Sequence, residues 1–386
     1  MSIPDILDSI PESGIRRLFE LASRQKDVIS LGIGEPDFDT PQHIKEYALE
    51  ALNKGMTHYT PNNGLKILRD AISEKLKKEN GIDADPDKNI MVTVGGNQAF
   101  LLALSTFIRP GDEAIVPSPY FVTHAAAVRL VGGTVVEVRT CIENDFRVAS
   151  EDLKKVVTSK TRCIIISTPN NPTGSVLKRK DLEEIADIAV EYNIKIISDE
   201  VYEKLIYDGA EHVSIASLNG MSDLTITVNS FSKAYAMTGW RLGYVVADPA
   251  TVAKMTKFQM YLAACPVSFV QYAAARALQD PRSRAATESM RQEYQKRRDY
   301  LYKRLSNVDG LVVNRPMGAF YMFPKVDFED NAFAEKLLSE GRVVVVPGSA
   351  FGTYGRGHVR LCYATSMSNI EEATSRIERF MRSLRK

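Results

Sequence analysis

In the stretch SFSKAYAMTGWRLGY, Lys233 is preceded by Ser230 and Ser232 and followed eight residues later by Arg241. An amine that acts as a nucleophile needs a depressed pKa, which burial and a nearby cation supply, and paired hydroxyls with an arginine suit a phosphate. Alone, the stretch reads equally well as a solvated turn running into a strand. Three further segments offer usable groups. Gly95, Gly96 and Asn97 precede a helical pattern, so free backbone N–H groups and the positive end of a helix dipole could face an anion. TPNNPTG carries Asn170, Asn171 and Pro172, which could mark a turn and nothing more. In DEVY, Asp199 and Tyr202 could cap a helix, and the carboxylate could instead hold a cationic ring nitrogen.

These segments must be positioned by what precedes them, and each follows a short apolar run. MVTV (91 to 94), EAIVP (113 to 117), TVVEV (134 to 138), CIIIS (163 to 167), IKIIS (194 to 198) and LTITV (224 to 228) are β-rich and mostly unalternated, the pattern of strands buried on both faces. Between them lie helical stripes, such as Phe100, Leu104, Phe107 and Ile108, and Leu182, Ile185, Ala186 and Ala189. The alternation predicts an α/β fold with a mostly parallel central sheet flanked by helices, whose ligands bind at the strand ends. Two candidate phosphate cradles, an amine, an acid and an amide at neighbouring strand ends describe a pocket for a phosphorylated carbonyl cofactor.

From about residue 281 the texture changes. RSRAATESMRQEYQKRRDYLYKRL reads as one long helix, short strands near AFYMF and RVVVVP surround a helix at about 331 to 340, and a last helix carries Ile370, Ala373, Ile377 and Phe380 on one stripe. Ser368 with Glu371 reads as the capping box of that last helix. The expected organisation is an arm over 1–45 packing on a smaller α+β domain over 281–386, with a large cofactor-binding domain over 46–280.

The chain has 386 residues, 44% hydrophobic, with 49 Lys and Arg against 48 Asp and Glu, so no global field draws in nucleic acid or an anionic membrane. Cys141, Cys163, Cys265 and Cys362 are far apart and form no C-x-x-C pair, which suggests neither zinc nor a disulfide framework. No uncharged apolar stretch approaches the roughly 20 residues that span a bilayer. The expectation is a cytoplasmic protein with small-molecule partners and no metal.

The motifs LGIGEPDFDTP, HYTPNNG, TVGGNQA, PSPYF, PNNPTG, SDEVY, SFSKAYAMTGWRLGY and VRLCYATS occur in this order over nearly the whole chain. In this the sequence resembles the fold type I pyridoxal-phosphate enzymes, specifically the class I/II aminotransferases of the prokaryotic aspartate and aromatic type. The resemblance implies pyridoxal 5'-phosphate as cofactor and Lys233, Asp199 and Tyr202 as catalytic residues. Lys233 would carry the cofactor covalently and then move the substrate proton, Asp199 would partner the pyridine nitrogen, and Tyr202 and Asn171 would bond the ring's phenolic oxygen. Gly95, Gly96, Asn97, Ser230, Ser232 and Arg241 would hold the phosphate, with Phe121 stacked on the ring. Tyr59 would reach the phosphate of a neighbouring subunit, implying a homodimer with shared active sites.

For the substrate, the resemblance implies that Arg360 clamps the α-carboxylate with help from Asn171 and the Gly34 backbone. Some relatives that prefer dicarboxylates have a lysine in the glycine turn where this chain has Asn97, and no second arginine for a distal carboxylate is assignable by position. PESGIRRLF is similar to the segment that closes over the pocket in relatives of broad or aromatic preference, which makes Gly14, Ile15, Arg16 and Arg17 candidates for shaping specificity. The implied reaction is transfer of an amino group from an L-amino acid, aspartate or aromatic, to a 2-oxo acid such as 2-oxoglutarate by a ping-pong mechanism. A β-lyase using the same lysine is the alternative. A DNA-binding regulator is disfavoured by near-zero net charge and by motifs that begin by residue 31, and a generic nucleotide-binding protein by VGGNQAF, which matches neither phosphate-loop pattern.

Overall fold

A run such as Cys163 to Ile166 can bury every side chain only if both faces of its strand are covered. In the computed structural model, which describes residues 3–8, 10, 22 and 25–384, both are. Cys163 and Ile165 join a core with Phe100, Leu104, Val128 and Met255, while Ile164 and Ile166 join another with Leu153, Leu182 and Ile185. Each fully buried Ile or Leu contributes about 1.5–3 kcal/mol to such a core.

The strands, in chain order, begin with β1 (Ile29–Ser30), β2 (Ile90–Thr93), β3 (Glu113–Ser118), β4 (Thr134–Arg139), β5 (Thr161–Ser167), β6 (Lys195–Asp199), β7 (Thr225–Ser230) and β8 (Gly243–Val246). Strands β2 to β8 form a seven-stranded sheet in the order β2-β8-β7-β6-β5-β3-β4. The neighbours from β4 to β7 run parallel, but β8 is antiparallel to both β7 and β2. Strand β8 is absent from the apolar runs read from the sequence, because GYVV is only four residues long and follows the glycine-rich GWRLG without a break. Its reversal has a local cause. The link from Ser230 to Gly243 holds a four-residue helix, Phe231–Ala234, and a short turn, leaving no room for the crossover helix a parallel return requires.

That reversal gathers the chemistry. Gly243 is paired with Ser230 on one side and Thr93 on the other, so Arg241, the Gly95 turn and the Ser230 hydroxyl meet at one end of the sheet. Only glycine fits at 243, since a Cβ there would lie 2.8 Å from the Asn229 carbonyl oxygen and 3.0 Å from the Gly95 carbonyl carbon.

The later strands are β9 (Leu311–Val312), β10 (Tyr321–Met322), β11 (Lys325–Val326), β12 (Val343–Val344), β13 (Val346–Pro347) and β14 (Val359–Cys362), with helices Pro281–Leu305, Asp330–Gly341 and Met367–Ser383. Strands β10, β14 and β13 form an antiparallel sheet, and β1 pairs parallel with β12. Their core joins Leu301, Phe320, Val344 and Leu361 to the buried stripe of the last helix and to Leu31, Tyr202 and Leu205. The helix Gln42–Asn53 lies against Ser268–Gln279. The capping box at Ser368 is corrected. Ser366 is the extended residue that caps the last helix, accepting the Asn369 N–H at 3.2 Å, and Ser368 sits inside the first turn with its hydroxyl 3.0 Å from that of Ser366.

Candidate active site

At the carboxyl ends of the parallel strands, facing the β10–β14 sheet, lies a cavity of about 510 Å³. It is lined by Gly96 and Asn97 after β2, Phe121 after β3, Asn171 after β5, Asp199 and Tyr202 at the end of β6, Ser230 at the end of β7, and Ser232, Lys233 and Arg241 after it. Gly34 and Arg360 close it from the other side. Of the site residues named from the sequence, Gly95 stands just behind this lining against Arg241, and Tyr59 lies apart, 89% exposed. Gly14, Ile15, Arg16 and Arg17 fall outside the described residues.

Lys233 sits in the short helix after β7, and its Nζ donates to the Gly34 carbonyl at 2.7 Å. Burial lowers its pKa to about 8, and the Arg360 and Arg241 guanidiniums act in the same direction against Glu35. Near neutral pH a usable fraction of this amine is therefore uncharged, unlike that of a surface lysine. Next to it, Ser230 Oγ accepts the Ser232 N–H at 3.1 Å and lies 3.0 Å from Ser232 Oγ. Gly95 opens the helix Gly95–Ser105 at φ +76, and a Cβ there would sit 2.5 Å from Arg241 Nη2. The first-turn N–H groups of that helix have no partner within it. Hydroxyls, unpartnered N–H groups and a guanidinium thus converge on one end of the cavity.

At the other end, Asp199 is buried with Oδ2 2.9 Å from His124 Nε2 and Oδ1 accepting the Val201 N–H at 3.3 Å. Two partners fix the carboxylate's plane. His124 was not picked out from the sequence. It is three residues beyond Phe121, on the helix Val122–Leu130, and the i, i+3 relation to a lining aromatic was the available signal. Its ring meets Phe121 edge-on at 5.9 Å and lies 4.6 Å from Phe100. Tyr202 Oη is 2.8 Å from Tyr321 Oη, and burial raises the Tyr202 pKa far above the ordinary value, so its proton is retained.

Arg360, on β14, is buried between the Tyr321 and Phe351 rings at 4.5 and 4.9 Å. Its Nη1 donates to Asn171 Oδ1 at 2.9 Å and its Nη2 to the Gly32 carbonyl at 2.6 Å. Its Nε–H is buried with no partner among the described residues. Nη1 and Nη2 each carry a second N–H beyond these bonds, so this guanidinium lining the cavity has donors left for an anion, and no carboxylate among the described residues pairs with it.

The comparisons with known proteins agree with this geometry. The aminotransferase class I and II family matches residues 26–377. The chain belongs to that family. It is 58% identical over 385 residues to an aspartate aminotransferase of Pyrococcus abyssi and 56% identical over 385 residues to aromatic-amino-acid aminotransferase 2 of Thermococcus litoralis, each alignment covering 99% of both chains. The crystal structure of an aromatic aminotransferase from Pyrococcus horikoshii superposes with a TM-score of 0.92 at 57% identity, covering 96% of this chain and 99% of that one. The protein is thus an aminotransferase of the fold type I architecture, and the family's cofactor is pyridoxal 5'-phosphate. The cavity fits that group. It offers an amine for the aldehyde, a cradle at Gly95 that a Cβ would fill, and a fixed carboxylate at the opposite end. Among the described residues, no helix is long and apolar enough to cross a membrane.

Proposed function

We propose that the protein transfers the amino group of an L-amino acid, aspartate or aromatic, to a 2-oxo acid such as 2-oxoglutarate in a ping-pong cycle. The observation that carries this is the placement of a proton-accepting amine, Lys233, and a carboxylate-seeking guanidinium, Arg360, on the same cavity. When bound, pyridoxal phosphate supplies an electron sink that makes the substrate's Cα proton removable. Arg360, with Asn171 and the Gly34 backbone, holds the α-carboxylate and so fixes the Cα–H bond relative to Lys233. The Lys233 amine takes that proton and returns it to the other reacting carbon, a transfer suited to a base of pKa near 8. Asp199, oriented by His124, would hold the ring nitrogen in its protonated form, and Tyr202 and Asn171 would bond the phenolic oxygen. Phe121, which lines the cavity, would stack on the ring.

The phosphate falls to Gly95, Gly96, Asn97, Ser230, Ser232 and Arg241. Gly95→Ala is expected to weaken cofactor retention by about tenfold or more, because an L side chain is strained at positive φ and the new methyl displaces Arg241. Equilibrium dialysis of the variant checks this, and unchanged retention would remove Gly95 from the cradle.

A second copy completes the reading. Tyr59 is exposed beside a segment carrying Tyr261, Leu262 and Val267, all exposed, because Thr60 and Asn62 bond to Cys265 and Ala264. A cluster of exposed apolar side chains at that place supports a homodimer in which Tyr59 reaches the other subunit's phosphate. Residues 46–280 and 281–386 are proposed as the large and small domains, with 1–45 as the arm, in a cytoplasmic enzyme.

Among the described lining residues, the cations are Lys233, Arg241 and Arg360. The distal carboxylate of aspartate would need a further cation from the second copy or from the arm with Arg16 and Arg17, so the lining supports aromatic donors first. A panel of single amino acids with 2-oxoglutarate, read by glutamate formation, should rank aromatic donors and aspartate highest. A different leading donor would displace this assignment, and ammonia released without any 2-oxo acid would replace transfer by β-elimination.

A further inference from the structure

Tyr321 is absent from the roles above, yet it touches three of the groups that carry them. It lies on β10, opposite Cys362 of β14, and is buried. Its ring lies under the Arg360 guanidinium at 4.5 Å. Its hydroxyl packs so closely on Gly34, whose carbonyl holds Lys233, that a Cβ at 34 would lie 2.3 Å from it. The same hydroxyl is 2.8 Å from Tyr202 Oη, with the two rings edge to face at 5.7 Å and 81°.

A hydroxyl donates one hydrogen bond and accepts two. The Tyr202–Tyr321 pair therefore has two arrangements. In one, Tyr202 donates to Tyr321 and its proton is turned away from the cavity. In the other, Tyr321 donates and the Tyr202 proton is free to point inward. We propose that Tyr321 is a positioning residue that donates to Tyr202 Oη, so that the Tyr202 proton is aimed at the phenolic oxygen of the cofactor. An anionic oxygen in the cavity selects this arrangement, and a donor whose own oxygen accepts a hydrogen bond is polarised into a stronger donor. The charged groups near Tyr202 are Lys233, whose Nζ lies 5.9 Å over the Tyr202 ring, Arg360, which eases ionisation of the Tyr202 hydroxyl, and Asp199, which opposes it. The inference rests on the reading that Lys233 carries pyridoxal phosphate with Tyr202 at the phenolic oxygen.

The Tyr321→Phe exchange removes one oxygen and keeps the ring under Arg360, which separates the hydroxyl's role from the clamp's. The measurement is the pH midpoint of the visible absorbance of the cofactor-loaded enzyme, which reports the proton held by the lysine-linked group. Hydrogen bonds to the phenolic oxygen lower that midpoint, so Tyr321→Phe should raise it by about half a pH unit. Tyr202→Phe should raise it by about one to two units. In the double variant the midpoint should match that of Tyr202→Phe alone, because Tyr321 acts only through Tyr202. KM for the amino donor should change less than about threefold in Tyr321→Phe, since the cation–π contact survives. A midpoint within about 0.1 unit of the parent, or a shift that persists in the Tyr202→Phe background, would overturn the proposal. Failure of the parent enzyme to acquire visible absorbance would instead overturn the cofactor reading on which it stands.

Discussion

Lys233→Ala should lower kcat by on the order of 10⁴-fold or more. On the proposed assignment the exchange deletes a covalent anchor, and it removes the only amine lining the cavity among the described residues. General acid–base catalysis by one group contributes about 10²- to 10⁴-fold, and loss of the covalent step adds to that. Binding of the cofactor itself should be retained in part. Ser230, Ser232, Arg241 and the Gly95–Asn97 turn hold their places through β7, β8 and the helix Gly95–Ser105, none of which depends on the Lys233 side chain. Dialysis should therefore show weakened but measurable retention alongside near-complete loss of turnover. Turnover at the parent rate would remove Lys233 from the mechanism.

Arg360→Ala should lower kcat/KM by about 10²- to 10³-fold for every α-amino acid alike. Truncating one partner of a buried, hydrogen-bonded charge pair costs about 2–5 kcal/mol, and the α-carboxylate is common to all donors. The aspartate-to-phenylalanine ratio should therefore stay within about threefold of the parent's. Arg360→Lys should recover little, because an ammonium cannot reproduce the planar fork that meets Asn171 and Gly32 while leaving donors for a carboxylate. A loss confined to one donor would place the clamp elsewhere.

The sheet was legible because its strands are buried on both faces, and burial on both faces writes itself as unalternated Ile and Val. The cavity was legible because ligands bind where such strands end, and Asp199 and Ser230 close their strands while Asn171 and Lys233 follow within four residues. What escaped has specific physical causes. Strand β8 is fixed by the shortness of the link that precedes it, a tertiary constraint with little signature in GYVV. His124 and Tyr321 act through other side chains across long sequence separations, 75 residues to Asp199 and 119 to Tyr202. Helical spacing from Phe121 hinted at the first, but AFYMF carried no sign that its tyrosine hydroxyl would meet Tyr202. The cap at Ser366 shows two serines competing for one helix start, a choice settled by where the backbone turns extended.

The account depends on Lys233 as the attachment point of pyridoxal phosphate. Loading the purified protein with the cofactor, reducing with borohydride and mapping peptides by mass should place a single phosphopyridoxyl modification on Lys233. An unmodified Lys233 peptide, or the modification on another lysine, would contradict the account.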